Sequence, residues 1–323
     1  MTDTVGFQLN WEPNGFQAPY FLARDRGLYE DEGLDVQFIE GHGSPFAAEQ
    51  AARGRADIGL AGASAVLAVR SEGHDPLAVA AVTGKTPAAI YTLEDVFGGP
   101  LEEPEQLAGR VVAPSATKTR ILTAQLLENA GVADEVDLLE VDPNTHHRVQ
   151  HKLLDGEVDA AVGVVTNGTE LQWEHGRQAH ELPVGEYLDI YGMTLVTNRE
   201  MAADRPEVVR AFLRATARGW AAATSEPGTA IDVLVARNAT LERRRDVERL
   251  KFETAARDLQ FTGAVRQEGW GHHEPSRWET LGTTLAETDL LDGSVEPGEA
   301  WTNEFLDTAD EAIAAYVDRI GES

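Results

Sequence analysis

Residues 5–40 read VGFQLNWEPNGFQAPYFLARDRGLYEDEGLDVQFIE. Two short apolar runs, 5–9 and 34–40, flank a stretch of helical spacing over 19–32. Gly33 stands where a left-handed residue closes a helix. Strand, helix, strand is the opening of an α/β layer with mostly parallel strands. The alternation continues outward. Ser44-Pro45 makes an N-cap and first-turn pair for a helix that Gly54 closes. The pattern then predicts a strand over 57–60, a helix over 64–72, and strands over 77–82 and 88–92. Residues 93–107 hold Gly98-Gly99-Pro100 and Pro104 and read as a connection. A second series follows: strand 110–113, helix 118–130, strand 136–141, helix 145–154 and strand 159–165. An irregular stretch, 182–190, leads to a strand over 193–197. Beyond it the spacing is helical, over 206–225, 228–237, 241–259, 275–287 and 303–320. No internal repeat is visible in the residues.

Two α/β series followed by a helical tail predict a two-lobed α/β fold. Lobe one takes residues 1–92 and 192–323, lobe two takes 93–191, and the tail packs on lobe one. The two crossings form a hinge, and a ligand is expected in the cleft, lined by loops at the carboxyl ends of strands.

Composition narrows the function. The 323 residues carry 27 Lys+Arg and 55 Asp+Glu, a net charge of −28, and only four lysines: Lys85, Lys118, Lys152 and Lys251. An acid excess with so little lysine fits a protein of salt-rich surroundings, where screening relieves the self-repulsion. It argues against nucleic acid and against an anionic membrane surface as partners. With no cysteine, disulfides, thiolate metal sites and a cysteine nucleophile are excluded. The opening MTDTVGFQLNW has no basic region followed by an apolar core, and no apolar run approaches a membrane span. The expected location is therefore cytoplasmic as the sequence is written, or the cell surface if an export segment has been removed.

The loop after the first strand carries the most chemistry: Asn10-Trp11-Glu12-Pro13-Asn14. An indole stacks on a flat ring, and an amide offers a donor and an acceptor to ring substituents. The alternative is that Trp11 packs under the loop and Asn10 caps a turn. Ser115-Ala116-Thr117-Lys118 opens the 118–130 helix, where hydroxyls and free N–H groups make either an anion site or a plain cap. Ser64 has the same two readings. His42 follows the second strand, and Asn167 and Glu170 follow the 159–165 strand. His147 and His151 stand four apart on a surface helix, with His146 adjacent, and His272-His273 lie in a loop. Neither set has the third ligand that zinc needs, so no metal site is expected. There is no H-E-x-x-H, P-loop, G-x-G-x-x-G or G-x-S-x-G.

The segments Leu9-Asn10-Trp11-Glu12-Pro13-Asn14, Ala18-Pro19-Tyr20, Arg26-Gly27-Leu28-Tyr29, Glu32-Gly33-Leu34-Asp35-Val36 and Gly54-Arg55-Ala56-Asp57-Ile58-Gly59 carry a resemblance. So do Tyr191-Gly192-Met193-Thr194-Leu195-Val196-Thr197-Asn198 and Thr302-Asn303-Glu304-Phe305-Leu306. The chain resembles the thiamin-pyrimidine family of type II solute-binding proteins. That family holds binders of formylated aminopyrimidines and the fungal suicide enzyme that makes the thiamin pyrimidine from pyridoxal phosphate. The resemblance implies a type II periplasmic-binding-protein fold. It also implies capture of a small aromatic heterocycle for an ABC permease and ATPase, by a monomer. In the enzyme a lysine, a histidine and a cysteine cluster are present. The first two positions fall here at Ala61 and Ala65, and there is no cysteine. The resemblance therefore implies a binder without catalytic residues or cofactor; a sulfonate or nitrate binder, and a cytoplasmic enzyme or sensor of thiamin metabolism, are the alternatives. For an aminopyrimidine, Trp11 and Tyr20 would supply one aromatic wall and Tyr187 and Tyr191 the other. Glu186 would accept from the exocyclic amine.

Overall fold

The computed structural model describes residues 2–141, 149–260, 263–286, 291, 293–307 and 311–321. The chain divides into two compact units. Unit 1 is Met1–Lys85 with Ile190–Ser323, and unit 2 is Thr86–Asp189.

Unit 1 is built on β1 (Asp3–Gln8), β2 (Leu34–Ile39), β3 (Ile58–Gly62), β4 (Pro76–Ala81) and, from the returning chain, β10 (Met193–Asn198). Their order is β2-β1-β3-β10-β4. β1 runs parallel to β2, with Val5 opposite Val36 and Phe7 opposite Phe38, and parallel to β3. β10 runs antiparallel to both β3 and β4. The core lies between this sheet and the carboxyl-terminal helices. The Phe7 ring centroid is 5.2 Å from Tyr20, 5.6 Å from Phe38 and 5.1 Å from Phe212. Each such ring contributes about 1.5–3 kcal/mol by leaving water. The predicted 19–32 helix is broken. Gly27, at φ +72°, separates Ala18–Asp25 from Leu28–Asp31, and Gly33 closes the second piece at φ +77°.

Unit 2 carries β5 (Ala88–Leu93), β6 (Val111–Pro114), β7 (Asp137–Leu138), β8 (Ala160–Val164) and β9 (Ala179–Pro183), in the order β7-β6-β8-β5-β9. β6 is parallel to β7 and β8, and β5 is antiparallel to β8 and β9. Tyr91, Leu93, Ala113, Val149, Leu153, Val158, Ala161 and Leu171 form its core.

Both sheets are thus mixed rather than mostly parallel. The crossing also falls earlier than Thr92. β5 pairs on both sides with strands of unit 2, so the boundary lies between Lys85 and Thr86. β9 and the helix Asn167–His175 were not predicted. The expected 241–259 helix is a 3-10 turn (Ala239–Arg244), an α-helix (Arg245–Thr254) and a π-helical turn (Ala255–Leu259). The predicted helix over 145–154 is described only from Val149, and that over 303–320 appears as Glu311–Gly321. Among the described residues, no helix is long and apolar enough to cross a membrane.

The two units repeat one another, which the residues had not revealed. Strand for strand, β1, β2, β3, β10 and β4 match β6, β7, β8, β5 and β9 in order and direction. The same clamp recurs. Asp57 Oδ2 accepts the Gly6 N–H of β1 at 2.8 Å, and its carbonyl accepts the Thr197 hydroxyl of β10 at 2.8 Å. Asp159 Oδ2 accepts the Val111 N–H of β6 at 2.8 Å, and its carbonyl accepts the Thr92 hydroxyl of β5 at 2.5 Å. Each carboxylate also meets an arginine, Arg205 at 3.2 Å and Arg110 at 3.1 Å.

Candidate functional site

In unit 1 the parallel strands β1, β2 and β3 end at one edge of the sheet. β1 runs out at Gln8, whose Nε2 donates to Glu40 O at 2.6 Å and holds the end of β2 beside it. The two following loops then touch backbone to backbone. Gly43 N–H donates to Asn10 O at 2.7 Å. A Cβ on Gly41 would lie 2.1 Å from Trp11 N, so only glycine fits there. Asn10, Trp11 and His42 are therefore brought together. Trp11 is 46% exposed, unlike a residue packed under its loop. His42 is exposed, edge-on to Phe46 at 5.4 Å.

The Asn10–Gln17 loop is fastened from within. Asn14 caps the 3-10 turn Gly15–Gln17: its Oδ1 accepts the Phe16 N–H at 3.0 Å, while Gln17 Oε1 accepts the Asn14 N–H at 3.1 Å. Gln17 Nε2 donates to Asn10 Oδ1 at 2.9 Å. The Gly15 N–H donates to Glu248 Oε2 at 2.7 Å, a carboxylate 2% exposed with the Lys251 ammonium 3.6 Å away. Gln17 and Glu248 were not anticipated. The N-x-x-Q spacing of Asn14 and Gln17 was a legible signal for the first. Nothing near Glu248 in the chain pointed to the second.

Three sequence expectations need correction. Tyr20 is 0% exposed, packed against Phe7 and 6.0 Å from Trp220, so it presents no face to a ligand; burial pushes its hydroxyl pKa far up. Tyr191 belongs to unit 1 and is buried. Its hydroxyl accepts the Glu274 N–H at 2.6 Å, and its ring packs on His273 and Trp278. Ser64 is buried in the first turn of Ala63–Ser71, a helix that no side chain caps. Ala61 and Ala65 are buried as well.

In unit 2 the strands β6, β8 and β9 end at one edge. Ser115, half-buried, donates its N–H to Val162 O at 3.0 Å. Ala116 rather than a hydroxyl residue is the N-cap of the helix Thr117–Asn129, and Thr117 is exposed as the first helical residue. The Thr119 hydroxyl accepts the Ala116 N–H at 3.0 Å and donates to Ala116 O at 2.8 Å. Lys118 is half-buried with no carboxylate in ion-pair range among the described residues. Desolvation lowers its ammonium to about 8. After β8, Thr166 sits at φ +90°, the one non-glycine residue with positive φ among those described. Its N–H donates to Glu181 Oε2 at 3.0 Å, and its hydroxyl donates to buried Glu170 at 3.1 Å. Asn167 Oδ1 accepts the Val164 N–H at 2.9 Å, so this amide oxygen holds the turn. Glu186 and Tyr187 are exposed beyond β9. They follow β9 at the same edge as Ser115, and the 3-10 turn Val184–Glu186 lies against the helix Thr117–Asn129. Burial and the nearby Glu105, Glu103 and Glu186 raise the Tyr187 hydroxyl.

His146 and His147 lie outside the described residues. His273 is fully buried, with the Trp278 indole N–H donating to its Nδ1 at 3.2 Å, and burial and His272 lower it to about 3. Among the described residues, no group of three or more His, Asp or Glu is disposed to hold a metal.

Comparisons with known proteins agree with this frame. The chain is 24% identical over 311 residues to the riboflavin-binding protein RibY of Chloroflexus aurantiacus, covering 94% of this chain and 86% of RibY. It is 23% identical over 313 residues to the formylaminopyrimidine-binding protein of Halalkalibacterium halodurans, covering 93% and 90%. It is 25% identical over 226 residues to the 4-amino-5-hydroxymethyl-2-methylpyrimidine phosphate synthase THI13 of Saccharomyces cerevisiae, 66% of this chain and 65% of the synthase's own length. Among solved structures, the periplasmic aliphatic sulphonate binding protein SsuA of Escherichia coli superposes with a TM-score of 0.73 at 16% identity, covering 94% of this chain and 99% of SsuA. The fold is therefore that of the periplasmic binding proteins. The family model described as NMT1/THI5 like matches residues 14–230, and the chain belongs to that family.

Proposed function

We propose that this chain is the solute-binding protein of an ABC importer and that its ligand is a small planar heterocycle, an aminopyrimidine precursor of thiamin. The observation that carries the reading is the exposed Trp11 indole beside Asn10, on a loop fastened at the carboxyl end of β1. A large aromatic left in water on a rigid loop is a stacking platform. In the proposed cycle the ring docks on Trp11 and Asn10. Closure of unit 2 then adds Ser115, Thr117 and Lys118 for a polar or anionic tail, and Glu186 with Tyr187 for an amino group. The ligand moves the equilibrium only by its extra affinity for the closed form. A permease and an ATPase would receive that form, so the working protein belongs on the outer side of the membrane.

A synthase is the weaker reading. Its lysine and histidine positions hold Ala61 and Ala65, which offer neither a nucleophile for a Schiff base nor an imidazole. A sulfonate binder is favoured by one feature, the uncapped helix start with Lys118. Against it stands Trp11, which a small anion leaves without a role.

A thermal-shift series in molar KCl tests the proposal with formylaminopyrimidine, riboflavin, an alkanesulfonate and pyridoxal phosphate. A ligand that binds only the folded chain raises Tm by an amount set by RT ln(1 + [L]/Kd). A shift with formylaminopyrimidine supports the reading. A shift with riboflavin alone keeps the binder and replaces the ligand, and a shift with the sulfonate or pyridoxal phosphate alone overturns it.

A further inference from the structure

We infer that the protein fixes the hydrogen-bond polarity of the Trp11 half-site: Asn10 presents only its amide NH2 group, so the ligand must bring an acceptor to it. The inference rests on reading the Asn10–Trp11 loop as the ligand platform.

A backbone N–H can only donate. The Asn14 N–H therefore requires an oxygen at 3.1 Å, which makes that atom of Gln17 its Oε1. The other atom of the Gln17 amide is then Nε2, a donor, and it faces the Asn10 side chain at 2.9 Å. A donor there requires Asn10 Oδ1. The remaining atom of the Asn10 amide is then Nδ2, for which no partner exists among the described residues. Asn10 cannot evade the constraint through its backbone, because Gly43 N–H holds its carbonyl at 2.7 Å. Gln17 cannot evade it either. It is buried, and turning its amide over would set an NH2 against the Asn14 N–H. The turn is anchored in its place by the Glu248 carboxylate on the Gly15 N–H. Glu248 lies beyond residue 230, where the family match ends.

The amide therefore does not offer a donor and an acceptor alike, as its type alone suggested. Beside the Trp11 face it selects a flat ligand with a ring nitrogen or carbonyl oxygen in the plane of the ring. An exocyclic amine has to find its acceptor elsewhere.

Three variants test this by calorimetric titration with formylaminopyrimidine and riboflavin. Gln17→Glu keeps the shape and still accepts from Asn14, but it turns an acceptor toward Asn10. The Asn10 amide then inverts and presents its oxygen, and affinity is expected to fall at least about tenfold. Asn10→Asp removes the donor directly and is expected to lose as much. Gln17→Leu disturbs the turn more but leaves Asn10 able to orient either way, so the expected loss is about threefold or less. A purely structural role for Gln17 gives the opposite order, Leu worse than Glu, and that order overturns the inference; so does unchanged affinity in Gln17→Glu. If the wild-type chain binds neither probe, the functional reading fails, and the free protein then decides the polarity. Gln17 side-chain amide protons slower to exchange than those of Asn10 support it, and the reverse overturns it.

Discussion

The loops that follow β1 and β6 occupy the same place in the two repeats and are built in opposite ways. After β1, a capping box, a buried carboxylate from a distant helix and a close glycine contact hold every turn of the chain from Asn10 to Gln17. After β6, the helix Thr117–Asn129 starts without a side-chain cap, and the neighbouring lysine lacks a carboxylate partner among the described residues. The loops after β3 and β8 differ in the same spirit. The first passes into its helix with ordinary backbone at Gly62, φ −67°, and the second turns through Thr166 at φ +90°. On the proposed reading unit 1 carries the aromatic platform, on the fastened Asn10–Gln17 loop, and unit 2 carries the groups for a polar tail, Lys118 among them. In the proposed cycle, preorganisation of the first half would lower the ordering cost of the first contact, and the second half would supply the differential contacts.

The largest expected effect breaks the platform. A Cβ on Gly15 would meet Glu248 O at 1.8 Å, although the backbone there is not in the left-handed region. Gly15→Ala should destabilise the protein by about 3 kcal/mol in denaturant titration, with loss of ligand binding. Gly109→Ala in unit 2 meets no atom within 4 Å and strains only φ +74°, and it should cost about 1 kcal/mol.

The matched clamps sharpen the comparison. Asp57→Ala and Asp159→Ala each orphan one strand N–H and remove one of an arginine's contacts, Arg205 keeping Asp3 at 3.0 Å and Arg110 keeping Phe97 O at 2.9 Å. Each should cost about 2 kcal/mol, and near-equal values in the two units would confirm that one device was used twice. A difference of more than twofold would show that the repeat is geometric without being energetic.

Lys118 gives a pH test. Its ammonium is depressed to about 8 by burial, and an anionic ligand beside it would raise that value. Affinity for an anion should therefore be full below pH 8 and fall as pH rises above it, by about tenfold per unit at most. Lys118→Met should flatten the profile. A profile that is flat in the wild type would remove Lys118 from the site. The smallest effect is at Thr166. Replacing it with glycine relieves the positive φ, worth about 1 kcal/mol, but removes the hydroxyl that buried Glu170 accepts, which costs about as much, so denaturant titration should show unit 2 changed by less than about 1 kcal/mol.

Much of the layer structure was legible because it rests on local signals. Gly33 and Gly54 lie in the left-handed region where the chain had to turn, and the helix over 206–225 runs from Pro206 to Ser225 as its spacing predicts. The mixed direction of the sheets was not legible, because strand polarity depends on which distant strand lies alongside. β10 reaches its place between β3 and β4 only after unit 2 has intervened. The repeat was hidden for a related reason: its signature is a carboxylate on a neighbouring strand's N–H, which Gly54-Arg55-Ala56-Asp57 and Gly156-Glu157-Val158-Asp159 share with two residues in common. At the candidate site the sequence singled out Asn10 and Trp11 by their type, and the fold sets them together with His42. The sequence-level reading misplaced Tyr20 and Tyr191, since nothing local distinguishes an aromatic on the core side from one facing water. It missed Glu248, whose partner Gly15 is 233 residues away.

The central claim is that Trp11 is a stacking platform for a planar heterocycle. Its most direct test is isothermal titration of the wild type and Trp11→Ala with formylaminopyrimidine in molar KCl. The account predicts saturable one-to-one binding that weakens about tenfold or more in the variant, while Tm of the free protein stays within about 2 °C, since an exposed indole supports little of the fold. Equal affinity in the two proteins would contradict it.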